Sequence, residues 1–526
     1  MKNPISFLRR IDNIFILGIL ILSAFIRFYR IQDYMTFLGD EGRDVLVVYN
    51  ILHGNFTLLG PTASVGGFFL GPIYYYFMAP FLWLFNYNPV GPAVMVAFFG
   101  IVTVFLVYKI GSEFFNTRTG IVASLLYAIS PLVVAYSRSS WNPNLMPFFT
   151  LLTLYALYKA LNKDSKALFI LSGFLFGILM QLHYIATFVG AIIIAYILFT
   201  RILSLRENIK LLVLKKILID YLLIFIGFIV GWSPFLAFEV RHGYPNSISV
   251  INFIFHSSDV SGGGNFFAIV WDVFFRLFGR LVTKFPPPEQ FSQPAYVNII
   301  TIWYWLTFIL MLTSVLLFLY QYLRAFKSKD NKFQQLSLIA LWLFLGVFIF
   351  GFYKKPIYDY YFGFMFPLPF FLVGNLITYS YTYKNVGKIL SIIIFVSLAW
   401  INLTGVPFRF PANRQLAQAE TISRFVYQKT DQKPYNFALI TGGNSDHAYR
   451  YFFKIWNHDP IIIENPQNDP KRKTVTNQLL VVCEKSLCEP LGYPTWEVAG
   501  FGRAEIAESW DISVVKVYKL VHYKGK

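Results

Sequence analysis

Four charged residues, Asp40, Glu41, Arg43 and Asp44, stand within five positions in the stretch FLGDEGRDVL (37–46). These types at this spacing suit proton transfer beside an anion. A positioned carboxylate takes a proton from an attacking hydroxyl. A guanidinium carries the charge that develops on a departing phosphate. Asp40 and Glu41 are the candidate bases. Each raises the other's pKa and Arg43 opposes that shift; the sequence leaves open which effect prevails. Further candidates fall in four short segments: Arg138, Asn142 and Asn144 in YSRSSWNPN (136–144); His183 in QLHY (181–184); Glu239, Arg241 and His242 in FEVRHGYPN (238–246); and Lys354, Lys355 and Tyr360 in YKKPIYDYY (353–361). Each also has a plain structural reading: helix caps for the acids, an ion pair for Arg43 and Asp44, a turn for the asparagines, interfacial lysines and an aromatic belt for the tyrosines.

What must position these residues is mostly apolar. Of the 526 residues, 56% are hydrophobic and 14% charged, against about 25% charged in soluble domains. Apolar runs near 13–29, 90–108, 119–136, 145–161, 167–182, 184–200, 217–235, 298–322, 335–352, 361–381 and 388–404 predict about eleven transmembrane helices. The stretch GPIYYYFMAPFLWLF (71–85) is shorter than a span and holds Pro72 and Pro80. Charge decides its place. If it does not cross, Lys2, Arg9 and Arg10, then Lys109 and Arg118, then the basic residues at 159–166, 201–216, 324–332 and 384–388 all share one side. That side is the cytoplasm by the positive-inside rule. The stretch 71–85 is therefore predicted as an interfacial or re-entrant segment of a first outer loop, and all the candidate residues fall outside. The net charge of +18 is scattered between apolar runs rather than gathered on one face, which excludes a nucleic-acid surface.

Past residue 404 the pattern changes. YNFALITGG, QLLVVCE and DISVVKVYKLV read as strands and SDHAYRYFFKIW as a helix, predicting a small α/β domain over 405–526 behind a membrane domain over 1–404. An odd helix count puts that domain outside as well. Its Thr441-Gly442-Gly443 turn is either an anion site or a plain strand-to-helix turn. Cys483 and Cys488 are either two thiols or a short-loop disulfide.

Activated building blocks outside a cell membrane travel on lipids. A lipid-linked sugar phosphate would lay its tail along the helices and its phosphate among the loop cations, which points to sugar transfer at the membrane surface. The acidic pair just after the first helix resembles the signature of the GT-C membrane glycosyltransferases. KIGSEFFNTRTGIVASLLYAISPLVVAYSRSSWNPN (109–144) and YYFGFMFPLPFFLVG (360–374) resemble segments of the protein O-mannosyltransferase and lipid A aminoarabinose transferase group, family 39 in the loose sense. The resemblance covers roughly residues 10–404. It implies a GT-C-type helical membrane fold with interfacial helices in the first outer loop, a polyprenyl-phosphate-linked sugar as donor, and a lipid, glycan or protein acceptor outside. It also implies an inverting transfer with Asp40 as base, seconded by Glu41, and donor contacts from basic and tyrosine residues of later outer loops. The family's lysine-bearing KPPL-like segment stands here as LGPIYY, without the lysine, so the phosphate ligands must come from Arg43, Arg138, Arg241 or Lys355. No cofactor is required, and no paired spacing indicates a divalent metal. Competing readings are a lipid or sugar-lipid flippase, which would carry charges at helix centres, and a non-catalytic envelope-assembly protein that uses its outer domain for binding.

Overall fold

The computed structural model describes residues 11–63, 66–203, 210–256, 265–287, 297–330, 332–353, 355–485 and 487–525. The chain is a multi-pass membrane protein. Each apolar run read from the sequence lies on helix, and the polar breaks between runs supply the ends. Asn116 accepts the Thr119 N–H at 3.0 Å to start the Thr117–Ile129 helix, and prolines open Pro131–Tyr136, Met146–Lys163 and Pro367–Tyr381, where a missing N–H costs nothing. Among the described residues five helices are long and apolar enough to cross a membrane: Val90–Phe114, Tyr184–Leu203, Asn298–Ser328, Phe333–Phe350 and Asn385–Leu403. A sixth candidate is the pair Asp359–Met365 and Pro367–Tyr381, bent by 63°. Ile11–Phe28, Thr117–Ile129, Lys166–Leu182 and Lys210–Gly231 complete the helical set at the other predicted runs, apart from their flanking turns. The basic residues at 2, 9, 10 and 206 and Lys354 lie outside the described residues.

The first polar segment after Ile11–Phe28 folds into two helices rather than an open loop. Gly39–Leu52 buries Glu41, Asp44, Val45, Val48 and Ile51, a stripe at helical spacing whose first members are acids. Ile73–Leu84 spans 12 residues with Pro80 inside. At 1.5 Å per residue it is about 18 Å long, short of a hydrocarbon core of about 30 Å. It turns Tyr74, Tyr75 and Met78 inward while Trp83 and Leu84 stay exposed.

The region after Leu403 carries a four-stranded sheet of order β1-β2-β4-β3, with β1 Asn436–Ile440, β2 Gln478–Cys483, β3 Ala504–Ile512 and β4 Val515–His522. β1 and β2 run parallel and the other pairs antiparallel. Every residue of β1 and β2 is buried, which is why both read as unbroken apolar runs. The two faces separate with period two. Phe437, Leu480, Val482 and Val517 pack into the large core shared with the membrane helices, whereas Ala438, Ile440, Leu479, Val481 and Leu520 form a second core under Ile463, Val498 and Phe501. One expectation needs correction. DISVVKVYKLV is not one strand: Ser513, at φ 53°, turns the chain between β3 and β4, so the segment is a hairpin closing on a strand, Ala504–Ile512, whose polar composition hid it. Cys483 and Cys488 are joined in a disulfide.

Candidate active site

The acids of Gly39–Leu52 are built for different tasks by where the helix points them. Glu41 is 7% exposed, and its Oε2 accepts the Leu38 N–H at 3.0 Å, closing the helix start. Burial pushes its carboxyl up to about 7, against the pull of that N–H. Asp44 is fully buried. Its Oδ1 accepts from Arg43 Nε and Nη2 at 2.9 and 2.8 Å and from the Tyr75 hydroxyl at 3.2 Å, while Oδ2 has no hydrogen-bond partner. Burial pushes its carboxyl up to about 6, with Arg43 opposing. Asp40 differs from both: its side chain is 57% exposed and is held by one contact, Arg43 Nη1 to Oδ1 at 3.0 Å. Asp44 thus fixes Arg43 from below, and Arg43 fixes Asp40 above. Of the three carboxylates, the solvent-facing one carries an oxygen able to reach a substrate.

The raised Glu41 carboxyl sets a pH dependence with a definite sign. An acid whose folded pKa exceeds its ordinary value costs stability as pH rises past that ordinary value, and the full cost is present above the folded value. Glu41→Gln keeps an acceptor for Leu38 and removes the titration. The variant is expected to melt like wild type at pH 4.5 and to gain on it progressively up to pH 8, by a margin on the order of a few kcal/mol. Thermal unfolding across that pH range checks it; a difference independent of pH would contradict the assignment.

From Asp44 a series of pairwise contacts leads, segment by segment, to Asp359. Tyr75 holds Asp44, and the adjacent Tyr74 bonds Ser140 at 2.7 Å. Trp141 packs edge-on against Tyr360, ring centroids 4.4 Å apart. Asn144 Nδ2 donates to the Ser139 carbonyl at 2.9 Å and closes that turn. Buried His183 stacks on Tyr184 and meets Tyr360 edge-on at 5.8 Å. Next to Tyr360 is Asp359, which receives Arg276 Nη2 at 2.6 Å and Arg280 Nε at 2.7 Å. Both arginines lie on the helix Phe266–Leu281 and line a cleft of about 390 Å³, whose remaining walls include Trp271, Phe275, Phe285, Ile300 and Tyr304. Arg280 Nη1 donates to the Phe285 carbonyl at 2.6 Å, and Nη2 has no partner among the described residues. This cleft joins two cationic forks to an apolar trough.

The sequence names Arg43, Arg138, Arg241 and Lys355 as phosphate ligands, and the contacts show what each side chain touches. Arg138 is 1% exposed. It donates to the carbonyl of Ile26 and, at 2.7 Å, to that of Tyr29, and so satisfies the open carbonyls at the end of Ile11–Phe28. Asn142 donates to the Leu182 carbonyl at 2.5 Å, tying two loops together. Glu239 is buried and accepts from Asn246 N and Nδ2 and from Ser247 N and Oγ, starting the next helix, Pro245–His256. Asn246 in turn accepts the Phe69 N–H at 2.8 Å, which anchors the first loop. Arg241 and His242 are exposed, the latter stacked on Phe238. Lys355 is partly buried at the start of the segment leading to Asp359. Arg43, Asp40 and Asp44 therefore meet on the acid helix and His183 and Tyr360 meet through their rings, with Asn144 closing a neighbouring turn, while Arg138, Asn142 and Glu239 tie loops and helix ends together. Arg276 and Arg280 are not among the residues the sequence singled out. Their signal was Asp272, Arg276 and Arg280 at i, i+4 and i+8 of FFAIVWDVFFRLFGRL, one face of an amphipathic helix, in a region read as loop.

Comparison with known proteins agrees with this architecture. The model of the dolichyl-phosphate-mannose-protein mannosyltransferase family matches residues 70–230. YycA of Bacillus subtilis (strain 168), named as a candidate mannosyltransferase, is 25% identical over 165 residues, 31% of this chain; the match spans 23% of that relative's length. ArnT of Cupriavidus metallidurans, solved with undecaprenyl phosphate bound, superposes with a TM-score of 0.58 at 12% identity, covering 96% of this chain and 97% of that one. The oligosaccharyltransferase AglB of Archaeoglobus fulgidus, solved with an inhibitory peptide and a dolichol-phosphate, gives 0.53 at 13% identity over 90% and 70%. At these identities the likeness is one of fold.

Proposed function

Starting from a chain that has the GT-C fold of membrane glycosyltransferases, we propose that it transfers a sugar from a polyprenyl-phosphate donor to an acceptor at the outer membrane surface. The donor tail lies in the apolar trough beside Phe275, Phe285 and Ile300. The phosphate meets Arg280 and Arg276 at its mouth, where charge-assisted forks are strongest. The acceptor hydroxyl attacks the anomeric carbon as the bond from that carbon to the phosphate oxygen breaks. The proton passes to Asp40, and polyprenyl phosphate leaves with its extra negative charge held by the arginines. The carrying observation is the presence in one fold of an accessible carboxylate clamped by Arg43 and of two arginines at an apolar cleft. The acceptor, whether lipid, glycan or protein, enters from the exposed side of Asp40.

The test is a panel of polyprenyl-phosphate sugars, mannose first, given to purified protein with release of polyprenyl phosphate as readout. Acceptor-dependent release from at least one donor is expected. No release from any donor, with lipid crossing reconstituted vesicles instead, would favour transport.

The positive-inside pattern supports the reading that the site end lies outside the cell. His53 is exposed at the end of the acid helix, and the disulfide leaves no competing thiol at Cys483 or Cys488. In intact cells His53→Cys is expected to react fully with a membrane-impermeant maleimide; reaction only after permeabilisation would invert the topology.

A further inference from the structure

The helix carrying the acids is capped twice: Glu41 of its own first turn takes the Leu38 N–H, and the next donor is taken by a distant part of the chain. The Gly39 N–H, one of the free donors of its first turn, donates to the Asn444 side-chain Oδ1 at 2.8 Å, across 405 residues of chain. Asn444 follows β1 in the C-terminal domain. The same Oδ1 accepts the Ser445 N–H at 2.9 Å, and Asn444 Nδ2 points at Glu484, 3.3 and 3.4 Å from its two oxygens. Glu484, one residue past β2 and beside the disulfide, is held in turn by the Thr441 and Tyr449 hydroxyls, each at 2.7 Å. The anion at the glycine turn after β1 is therefore the chain's own carboxylate, and its task is to aim an amide at the acid helix.

The surrounding packing has the same purpose. Gly39 and Gly42 face the domain without side chains: a Cβ at Gly39 would overlap Ser445, and one at Gly42 would overlap the backbone at His447 and Ala448. Phe37, just before the helix, is 1% exposed and meets Phe452 and Tyr451 edge-on at 5.9 and 6.3 Å. Two glycines one turn apart allow the helix His447–Ile455 to lie against the acid helix at backbone distance.

We infer that Asn444, aimed by Glu484, is a positioning residue for catalysis: the C-terminal domain caps the acid helix in trans and fixes where Asp40 stands. This rests on the function proposed above. The domain is then part of the active site's framework and not an appended module. The cap acts on the turn that bears Asp40, so its loss displaces the base while the donor cleft, built from Phe266–Leu281, is untouched. A displacement of about 1 Å at a reacting group costs on the order of a hundredfold in rate.

The test uses the full-length protein with whichever donor the wild type cleaves, and compares Asn444→Ala, the double variant Asn444→Asp/Glu484→Gln, and Asp40→Asn. The double variant exchanges carboxylate and amide across the contact: the carboxylate introduced at position 444 still accepts from the Gly39 N–H, and the amide introduced at position 484 donates to it. Asn444→Ala is expected to lose about tenfold or more in kcat with donor KM within twofold, at a melting temperature that leaves the protein folded under assay. The exchange is expected to restore kcat to within about threefold. Wild-type kcat in Asn444→Ala, or a loss that the exchange does not restore, overturns the inference while Asp40→Asn stays inactive. Full activity in Asp40→Asn overturns the reading of the site itself, and the inference with it.

Discussion

Asp40→Asn is expected to lower kcat by about three orders of magnitude while donor KM changes little. The substitution keeps the side chain's size and still offers Arg43 Nη1 an oxygen in place of the 3.0 Å contact, so the fold has no reason to respond. What it removes is the basic oxygen. A general base contributes about 10² to 10⁴ in rate, and neither neighbour can substitute: Glu41 is turned under the helix onto the Leu38 N–H, and Asp44 is sealed beneath Arg43 and Tyr75. Steady-state release of polyprenyl phosphate checks it. Glu41→Gln serves as the control, expected within about tenfold of wild type, because its carboxylate closes the helix and does not face the acceptor. A reversal of the two phenotypes would move the base to Glu41 and require the helix to rotate.

The second large effect belongs to Arg280. Its Nε is fixed by Asp359 at 2.7 Å and its Nη1 by the Phe285 carbonyl at 2.6 Å, which leaves Nη2 directed by two anchors and free of partners among the described residues. A guanidinium held this rigidly needs no reorganisation to meet a phosphate. Arg280→Ala is expected to lower kcat/KM by about 10² to 10³, with weaker binding of polyprenyl phosphate itself. Arg280→Lys recovers only part, since an ammonium is a point charge without the planar fork that spans Asp359 and the Phe285 carbonyl and still presents a donor to the cleft. Arg276→Ala follows in the same direction, more mildly, because its Nη1 and Nη2 already serve Asp272, Ile357 and Asp359. Titration of the product lipid against each variant separates lost binding from lost catalysis. Unchanged affinity in Arg280→Ala would place the phosphate elsewhere.

How much of this the sequence carries depends on the distance over which each residue finds its partner. The acid cluster was legible because Asp40, Glu41, Arg43 and Asp44 interact within one helical turn, and charge beside a membrane helix is costly enough to stand out. The helices were legible as apolar runs, and the fold followed. Arg138 was misplaced because its partners, Ile26 and Tyr29, are 112 and 109 residues away: one guanidinium can reach a phosphate or close a helix end, and only packing distinguishes them. Glu239 had a local sign. Asn246 and Ser247, seven and eight residues on, begin a helix whose free N–H groups a buried carboxylate can take. Arg276 and Arg280 sat on a helical face within a stretch too charged to count as a span, so the rule that found the membrane helices hid the helix beside them. The contact between Gly39 and Asn444 had no trace at all beyond a GxxG spacing, since its two partners stand 405 residues apart in the chain.

The central claim is a single displacement, with one carboxylate taking the acceptor's proton and no sugar ever bonded to the protein. The anomeric configuration of the product tests it directly. Nuclear magnetic resonance of the sugar transferred from a donor of defined configuration should show inversion at the anomeric carbon. Retention would require a covalent sugar intermediate, and with it a second nucleophilic group, and would contradict the role given to Asp40.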